Sequence, residues 1–186
     1  MPDLALHALA MHGLYRVERT DQRDPRGTFG RLFCADTLRV AGWIKPVAQV
    51  NLSRTARRAT VRGLHYQRAP HREMKLVSCL RGAIWDVAVD LRAESPSFGR
   101  WHAEMLTAEN GAALLIPEGF AHGFQACSDD VEVLYCHSAG HAPGSEAGIH
   151  PADPRLGISW PLPLGELSAR DANLPAFEAA ITEEQS

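Results

Sequence analysis

The sequence predicts an all-β fold of the sandwich or jelly-roll barrel kind. Three observations carry that reading. From Arg16 to His137 the chain is a succession of short apolar or alternating runs, each the length of a strand and bounded by turn residues. Fifteen glycines and twelve prolines in 186 residues argue for many turns and against a helical bundle. Helix signals are scarce until the C-terminal segment.

Taken in order, residues 74–80 and 83–91 flank Arg81 and Gly82 and read as the two strands of a tight hairpin. Period-two alternation on the second puts Trp85, Val87 and Val89 on one face and Ile84, Asp86, Ala88 and Asp90 on the other. Residues 94–99 form a loop by composition. Further strands are expected at 100–107, 112–116, 123–127 and 131–137. Residues 143–163 are rich in Pro and Gly and read as irregular, and 171–184 hold a short helical segment interrupted by Pro175. Without internal repeats or a low-complexity linker, residues 1–186 are expected to form one domain.

Composition narrows the function classes. Nineteen basic against 22 acidic residues give a net charge of −3, which argues against a nucleic-acid footprint spread over the surface. At 45% hydrophobic and 22% charged, the chain reads as an ordinary soluble globular protein. No apolar stretch has the length of a membrane helix, so no membrane partner is expected. The apolar run at 4–15 follows Asp3 and lacks a basic leader, so it does not read as a signal peptide, and the cytoplasm is the expected compartment. Cys34, Cys79, Cys127 and Cys136 form no C-x-x-C pair and are expected to be reduced. His71, His102, His137 and His150 read as surface residues.

Residues 111–122 carry Gly111, Pro117, Gly119 and His122 in the G-x5-P-x-G-x2-H spacing of the second cupin motif, a strand, a turn and a strand whose His enters a barrel. In metal cupins that His joins an upstream H-x-H and a Glu around a transition metal. Here the upstream segment reads His65-Tyr66-Gln67, and Lys75 stands where the Glu is expected. A protonated Lys cannot coordinate a cation. A cupin jelly roll with no metal and no cofactor is the expectation.

Several segments occur in one order: Asp-Pro-Arg-Gly at 24–27, Val-Arg-Gly-Leu-His-Tyr-Gln at 61–67, Lys-Leu-Val at 75–77, Asp-Val-Ala-Val-Asp at 86–90 and Ser-Pro-Ser-Phe-Gly at 95–99. Ala-Glu-Asn at 108–110, Ile-Pro-Glu-Gly-Phe-Ala-His-Gly-Phe at 116–124 and Leu-Ser-Ala-Arg-Asp at 167–171 follow. Together they resemble the dTDP-4-dehydrorhamnose 3,5-epimerase family over a core of about residues 13–171. The resemblance implies that His65 is the general base, held by Asp171, that Tyr135 is the proton donor on the other face of the sugar, and that Lys75 lies near the 4-keto oxygen. It implies that Arg62 and Arg26 clamp the diphosphate, Arg26 by way of exchanged N-terminal strands of a homodimer. Gln49, Asn51, His122, Glu146 and Arg170 fall where the family contacts substrate.

These residue types suit the chemistry. A hydrogen beside a ketone is acidic because the carbanion spreads onto oxygen as an enolate. A neutral His can take it near neutral pH, and an adjacent carboxylate fixes the tautomer and stabilises the imidazolium. An ammonium near O4 stabilises charge that develops in the transition state. Inversion needs a second acid opposite, and arginines suit a diphosphate. Strict alternation puts Arg62 and His65 on opposite faces, so both line one pocket only if a bulge or a strand end intervenes, with Gly63 as its marker. Asp171 also has a structural reading, as a helix cap.

Three departures from the family pattern bear on the substrate. A Tyr pair that would stack on the thymine reads Gly140-His141, an acidic position reads Arg31, and the middle of a Gln-Asp-Asn triplet is Val50. The readings carried forward are a cofactor-free 3,5-epimerase of a dTDP-linked 4-keto-6-deoxyhexose, using His141 against the base, a mono-epimerase or an enzyme of a related nucleotide sugar, and a non-catalytic sugar-nucleotide-binding cupin. Lys75 argues against a metal-dependent oxygenase.

Overall fold

The computed structural model describes residues 3–184. Its first half runs β1 (Leu4–Ala8), β2 (Tyr15–Arg19), β3 (Gln22–Asp24), β4 (Gly27–Phe29), helix α1 (Ala35–Arg39), β5 (Gln49–Thr55), β6 (Val61–Gln67) and β7 (Lys75–Arg81). The second half runs β8 (Ala83–Asp90), β9 (Trp101–Thr107), β10 (Ala112–Ile116), β11 (Phe120–Ala126), β12 (Val131–His137) and β13 (Glu146–Gly148). A 3-10 turn (Asp171–Asn173) and helix α2 (Phe177–Glu184) close the described chain. Two antiparallel sheets face each other, in the orders β1-β2-β10-β7-β12-β5 and β13-β6-β11-β8-β9, and β3 pairs with β4 as a separate hairpin. This is the expected jelly roll with a short C-terminal helical segment. No helix among the described residues is long and apolar enough to cross a membrane.

Apolar burial occupies three layers. Val77, Cys79, Ile84, Ala88, Leu114 and Val133 meet between the sheets. Leu64, Val87 and Val89, on the opposite face of their sheet, are covered by Phe177, Ala180 and Ile181 of α2. Leu76, Leu115 and Cys136 are covered by Leu38 and Trp43, from α1 and the segment after it. The alternation read on β8 holds: Val87 and Val89 enter one layer, Ile84 and Ala88 the other. A fully buried Leu or Phe contributes about 1.5–3 kcal/mol, so covering both faces of the central strands supplies a large part of the stabilisation.

The hairpin reading of residues 74–91 is corrected. Strand β7 pairs with β10 and β12, whereas β8 pairs with β11 and β9 in the other sheet. Gly82, at φ +74°, turns the chain across the sandwich instead of back along itself. Both faces of β8 are largely apolar and buried, and a strand of that kind is stabilised between neighbours in a sheet covered on both sides. The stretch 143–163 is also less irregular than its composition suggests, since β13 adds to the edge of β6. The C-terminal segment divides at Pro175 as expected, into the 3-10 turn and α2.

Of the two devices that could bring Arg62 and His65 together, the structure has the bulge. His65 pairs with His122 and Arg62 with Phe124, so Gly63 and Leu64 on β6 oppose Gly123 alone on β11. Gly63 adopts φ +117°, and a Cβ there would stand 2.6 Å from the Gly123 Cα and 2.8 Å from the His122 carbonyl oxygen. Only glycine fits this crossing. The extra residue brings Arg62 and His65, three positions apart, to the same side of the sheet, where both line one cavity.

Candidate active site

That cavity, of about 500 Å³, opens between the sheets. Strand periodicity fills it. Gln49, Asn51 and Ser53 alternate along β5, and Tyr135 and His137 alternate along β12. Lys75 enters from β7, where it pairs with His137, and His122 enters from β11. Glu146 on β13, His141 in the loop before it, and Arg170 and Asp171 of the C-terminal segment complete the wall.

His65 Nε2–H donates to Asp171 Oδ1 at 2.7 Å. The Gly63 N–H, freed from the ladder by the bulge, donates to Asp171 Oδ2 at 3.2 Å. Burial works against ionisation of Asp171, but His65, the Gly63 N–H and Ser168 outweigh it and hold the carboxyl below its ordinary value. An ionised carboxylate only accepts, so His65 carries its proton on Nε2 and keeps a lone pair on Nδ1. Asp171 opens the 3-10 turn and does not cap α2, so its capping reading is set aside for the dyad.

The Tyr135 hydroxyl lies 3.2 Å from Ser53 Oγ, and burial pushes it well above the ordinary phenol value, so it stays protonated. His122 stands edge-on to the Tyr135 ring and pairs with Asp86 at 2.7 Å. Lys75 is buried in the pocket wall, with Nζ 3.4 Å from Glu73 Oε1, and is no surface strand residue. Arg62 is braced by Thr55 Oγ1 at 3.0 Å and the Arg54 carbonyl at 3.1 Å.

At the mouth, Glu146 accepts from Arg170 at 2.8 Å and stands 3.3 Å from His141 Nε2. Gln49 Oε1 accepts the His141 N–H at 2.9 Å. Gln67 bonds to the loop on either side of His141, donating to the Gly140 carbonyl at 3.2 Å and accepting the Ala142 N–H at 2.6 Å. The loop is therefore fixed while the His141 side chain stays 51% exposed.

Eleven of the twelve site residues expected from the sequence line this cavity. Arg26 does not: it lies on the β3–β4 hairpin, 90% exposed and paired with Asp24. His137, read as a surface residue, is corrected: it is buried, donating from Nδ1 to Glu73 Oε2 at 2.8 Å. Its place two residues after Tyr135 on one strand was the available signal. Alternation groups Asp86 on one face of β8 with Ile84 and Ala88 but does not join it to His122, a pairing between strands far apart in sequence. Glu73 and Ser53 carried no sequence signal, and Ser168, inside the segment at 167–171, was not singled out. Among the described residues no group of three or more His, Cys, Asp or Glu is arranged to hold a metal ion.

Comparison with known proteins agrees with this architecture. The family model described as dTDP-4-dehydrorhamnose 3,5-epimerase matches residues 8–179. A dTDP-4-dehydrorhamnose 3,5-epimerase of Salmonella typhimurium is 42% identical over 163 residues, covering 87% of this chain and 88% of the relative. The dTDP-6-deoxy-D-glucose-3,5-epimerase of Legionella pneumophila, solved in complex with dTDP-4-keto-L-rhamnose, superposes with a TM-score of 0.92 at 36% identity, covering 98% of this chain and 97% of that one. ChmJ, a 3'-monoepimerase from Streptomyces bikiniensis solved with dTDP-quinovose, gives 0.87 at 37% identity, covering 95% and 89%.

Proposed function

The chain belongs to the dTDP-4-dehydrorhamnose 3,5-epimerase family, a family of isomerases, and on that footing we propose that it inverts both C3 and C5 of a dTDP-linked 4-keto-6-deoxyhexose, without a cofactor. The observation that carries the proposal is the convergence of an oriented His65–Asp171 dyad, the Lys75 ammonium and a protonated Tyr135 on one cavity. A site that only bound sugar nucleotides would not need an acid–base set.

In the proposed reaction His65 Nδ1 removes the proton from the carbon beside the ketone. The electron pair moves into a C=C bond while the C=O bond opens to an enolate. Lys75 stabilises the new charge on O4, where a fixed ammonium in a water-poor pocket acts most strongly. Asp171 stabilises the imidazolium. The enolate collapses back to the ketone as Tyr135 gives its proton to the opposite face of the same carbon, and the centre is inverted. Solvent then returns the two residues to their starting protonation. Both C3 and C5 flank C4, so one base and one acid serve both centres. Arg62, at the cavity, and Arg170 supply positive charge for the diphosphate, and His141 the ring nearest the base.

A homodimer fits the same reading. Arg26 stands clear of its own cavity, and β5 is an uncovered sheet edge with Val50 and Leu52 exposed.

The test is NMR of dTDP-4-keto-6-deoxyglucose incubated with the protein in D2O. Deuterium is expected at C3 and C5. The 3'-monoepimerase neighbour is as similar in sequence as the 3,5-epimerase structure, so exchange at C3 alone would reduce the activity to mono-epimerisation. Exchange at neither carbon would overturn the catalytic reading.

A further inference from the structure

The catalytic reading leaves one buried polar cluster unused. Glu73, just before β7, reaches Lys75 Nζ with Oε1 at 3.4 Å and His137 Nδ1 with Oε2 at 2.8 Å. The side chains of all three are about nine-tenths buried, at 11%, 9% and 11% exposure for Lys75, Glu73 and His137. On its other side His137 presents Nε2 to Asn51 Nδ2 at 3.4 Å. An amide nitrogen donates and a carboxylate accepts, so the geometry is that of a neutral imidazole with its proton on Nδ1. The His137 ring also lies nearly parallel to that of Tyr135, 28° between planes with centroids 6.0 Å apart. A continuous chain of contacts thus runs from Lys75 through Glu73 and His137 to Tyr135, joining β7 to β12 along the cavity wall.

We propose that Glu73 and His137 are positioning residues that together hold the Lys75 ammonium and the Tyr135 ring in the geometry the reaction requires. A buried lysine ammonium on a flexible stem is costly to hold in one place without a counter-charge, and a buried carboxylate left single-bonded is costly too. Each partner satisfies the other. Lys75 faces a second carboxyl, Asp86 on β8, whose pairing is with His122. Burial pushes Asp86 above its ordinary value, whereas Glu73 is held below its own because His137 and Lys75 outweigh the cost of burial. Glu73 is therefore the fixed anion of the pair. The other carboxylates that line the cavity are paired elsewhere, Asp171 with His65 and Glu146 with Arg170, and Tyr135 keeps its proton, so Glu73 is the anion placed beside Lys75.

The role assigned to Lys75 rests on the function proposed above, and the test separates the two. Glu73→Gln keeps the shape and removes the charge. It is expected to lower kcat for solvent exchange about tenfold, with KM within about twofold, and Glu73→Asp is expected to recover part of the loss. In a Lys75→Met background Glu73→Gln is expected to have a clearly smaller effect than in the parent, what remains acting through His137 on Tyr135, because residues acting as a unit are not additive. His137→Asn is the second variant, expected to reproduce the kcat loss should Glu73→Gln fold poorly. An effect of Glu73→Gln below twofold in the parent, or equally large in Lys75→Met, would overturn the proposal. Independently of turnover, the rate at which acetic anhydride labels Lys75, read by mass spectrometry, is expected to rise at least threefold in Glu73→Gln, since the amine loses the anion that holds it in place. An unchanged labelling rate overturns the positioning role even if the parent is inactive. Absent exchange in the parent with the labelling change intact would instead remove the catalytic reading alone.

Discussion

Replacing Asp171 by Asn tests the dyad with almost no change in volume. In the native chain both carboxylate oxygens accept, Oδ1 from His65 at 2.7 Å and Oδ2 from the Gly63 N–H at 3.2 Å. An amide can accept on one side only. If its oxygen faces Gly63, its NH2 faces His65 and forces the imidazole to carry its proton on Nδ1, the nitrogen required as base. If its oxygen faces His65, the NH2 abuts the Gly63 N–H, two donors in a site that is 5% exposed. The first arrangement is the cheaper, so the wrong tautomer predominates. The corresponding substitution in serine proteases costs about 10⁴ in kcat. Here His65 is 30% exposed and water can partly compensate, so a loss of about 10³ is expected, about 4 kcal/mol of transition-state stabilisation. Deuterium incorporation at C3 and C5, followed by NMR, measures it. Stability should fall by about 1.5–3 kcal/mol, the scale of a hydrogen bond to a charged group. The carboxyl of Asp171 is held below its ordinary value, so the folded chain takes up that proton at lower pH than the unfolded chain. Its stabilisation is fully present above about pH 4 and is lost as pH falls through the folded value, and Asp171→Asn should flatten that acid limb in thermal melts. A variant exchanging within threefold of the parent rate would show that Asp171 does not set the His65 tautomer.

Tyr135→Phe should leave deuterium exchange detectable while reducing net inversion at least a hundredfold, whereas abolished exchange would mean that Tyr135 is needed for proton removal as well. Activity should survive exhaustive chelation, because Lys75 fills the position of a carboxylate ligand and His122 is committed to Asp86; loss on chelation with recovery on adding one metal would overturn this. Mixing Arg26→Ala with His65→Asn should restore activity if each cavity takes Arg26 from the other subunit, since one hybrid cavity is then intact; no gain over the separate variants would make Arg26 act within its own chain or not at all. His141→Tyr should raise affinity for dTDP relative to UDP and CDP by calorimetry, base stacking on a full aromatic ring being worth about 1–3 kcal/mol in single-strand recognition; unchanged ratios would put His141 outside the base site.

The fold class was legible because it rests on short-range rules, and most of the cavity because its residues are ones to which the resemblance to a family assigns roles. Turn composition and strand-length apolar runs indicate a sandwich, and the two faces of β8 could be read off its alternation. What failed was long-range. Gly82 marks a turn in either a hairpin or a crossover, and only the need to cover both faces of β8 sends it to the second sheet. Strands β1 to β5 and β13 were not located from the pattern, and β5 shows why: Gln49, Asn51 and Ser53 are polar yet face the cavity, while Val50 and Leu52 between them are exposed, the inverse of a half-buried strand.

The same distinction explains why the dyad could be anticipated and the Glu73–His137 pair could not. His65 and Asp171 both lie in ordered segments shared with a family, so their joint role could be read from resemblance although 106 positions separate them. Glu73 and His137, 64 positions apart, meet only because His137 is paired with Lys75 across the β7–β12 ladder, which brings it beside the residue two before Lys75. Register alone makes that contact, and register is set by the packing of the whole sheet. A slip of one residue in β12 would turn Tyr135 and His137 out of the cavity together. The apolar residues that fix the register, Val131 and Val133 on the same face, are therefore as necessary to the site as the groups that line it.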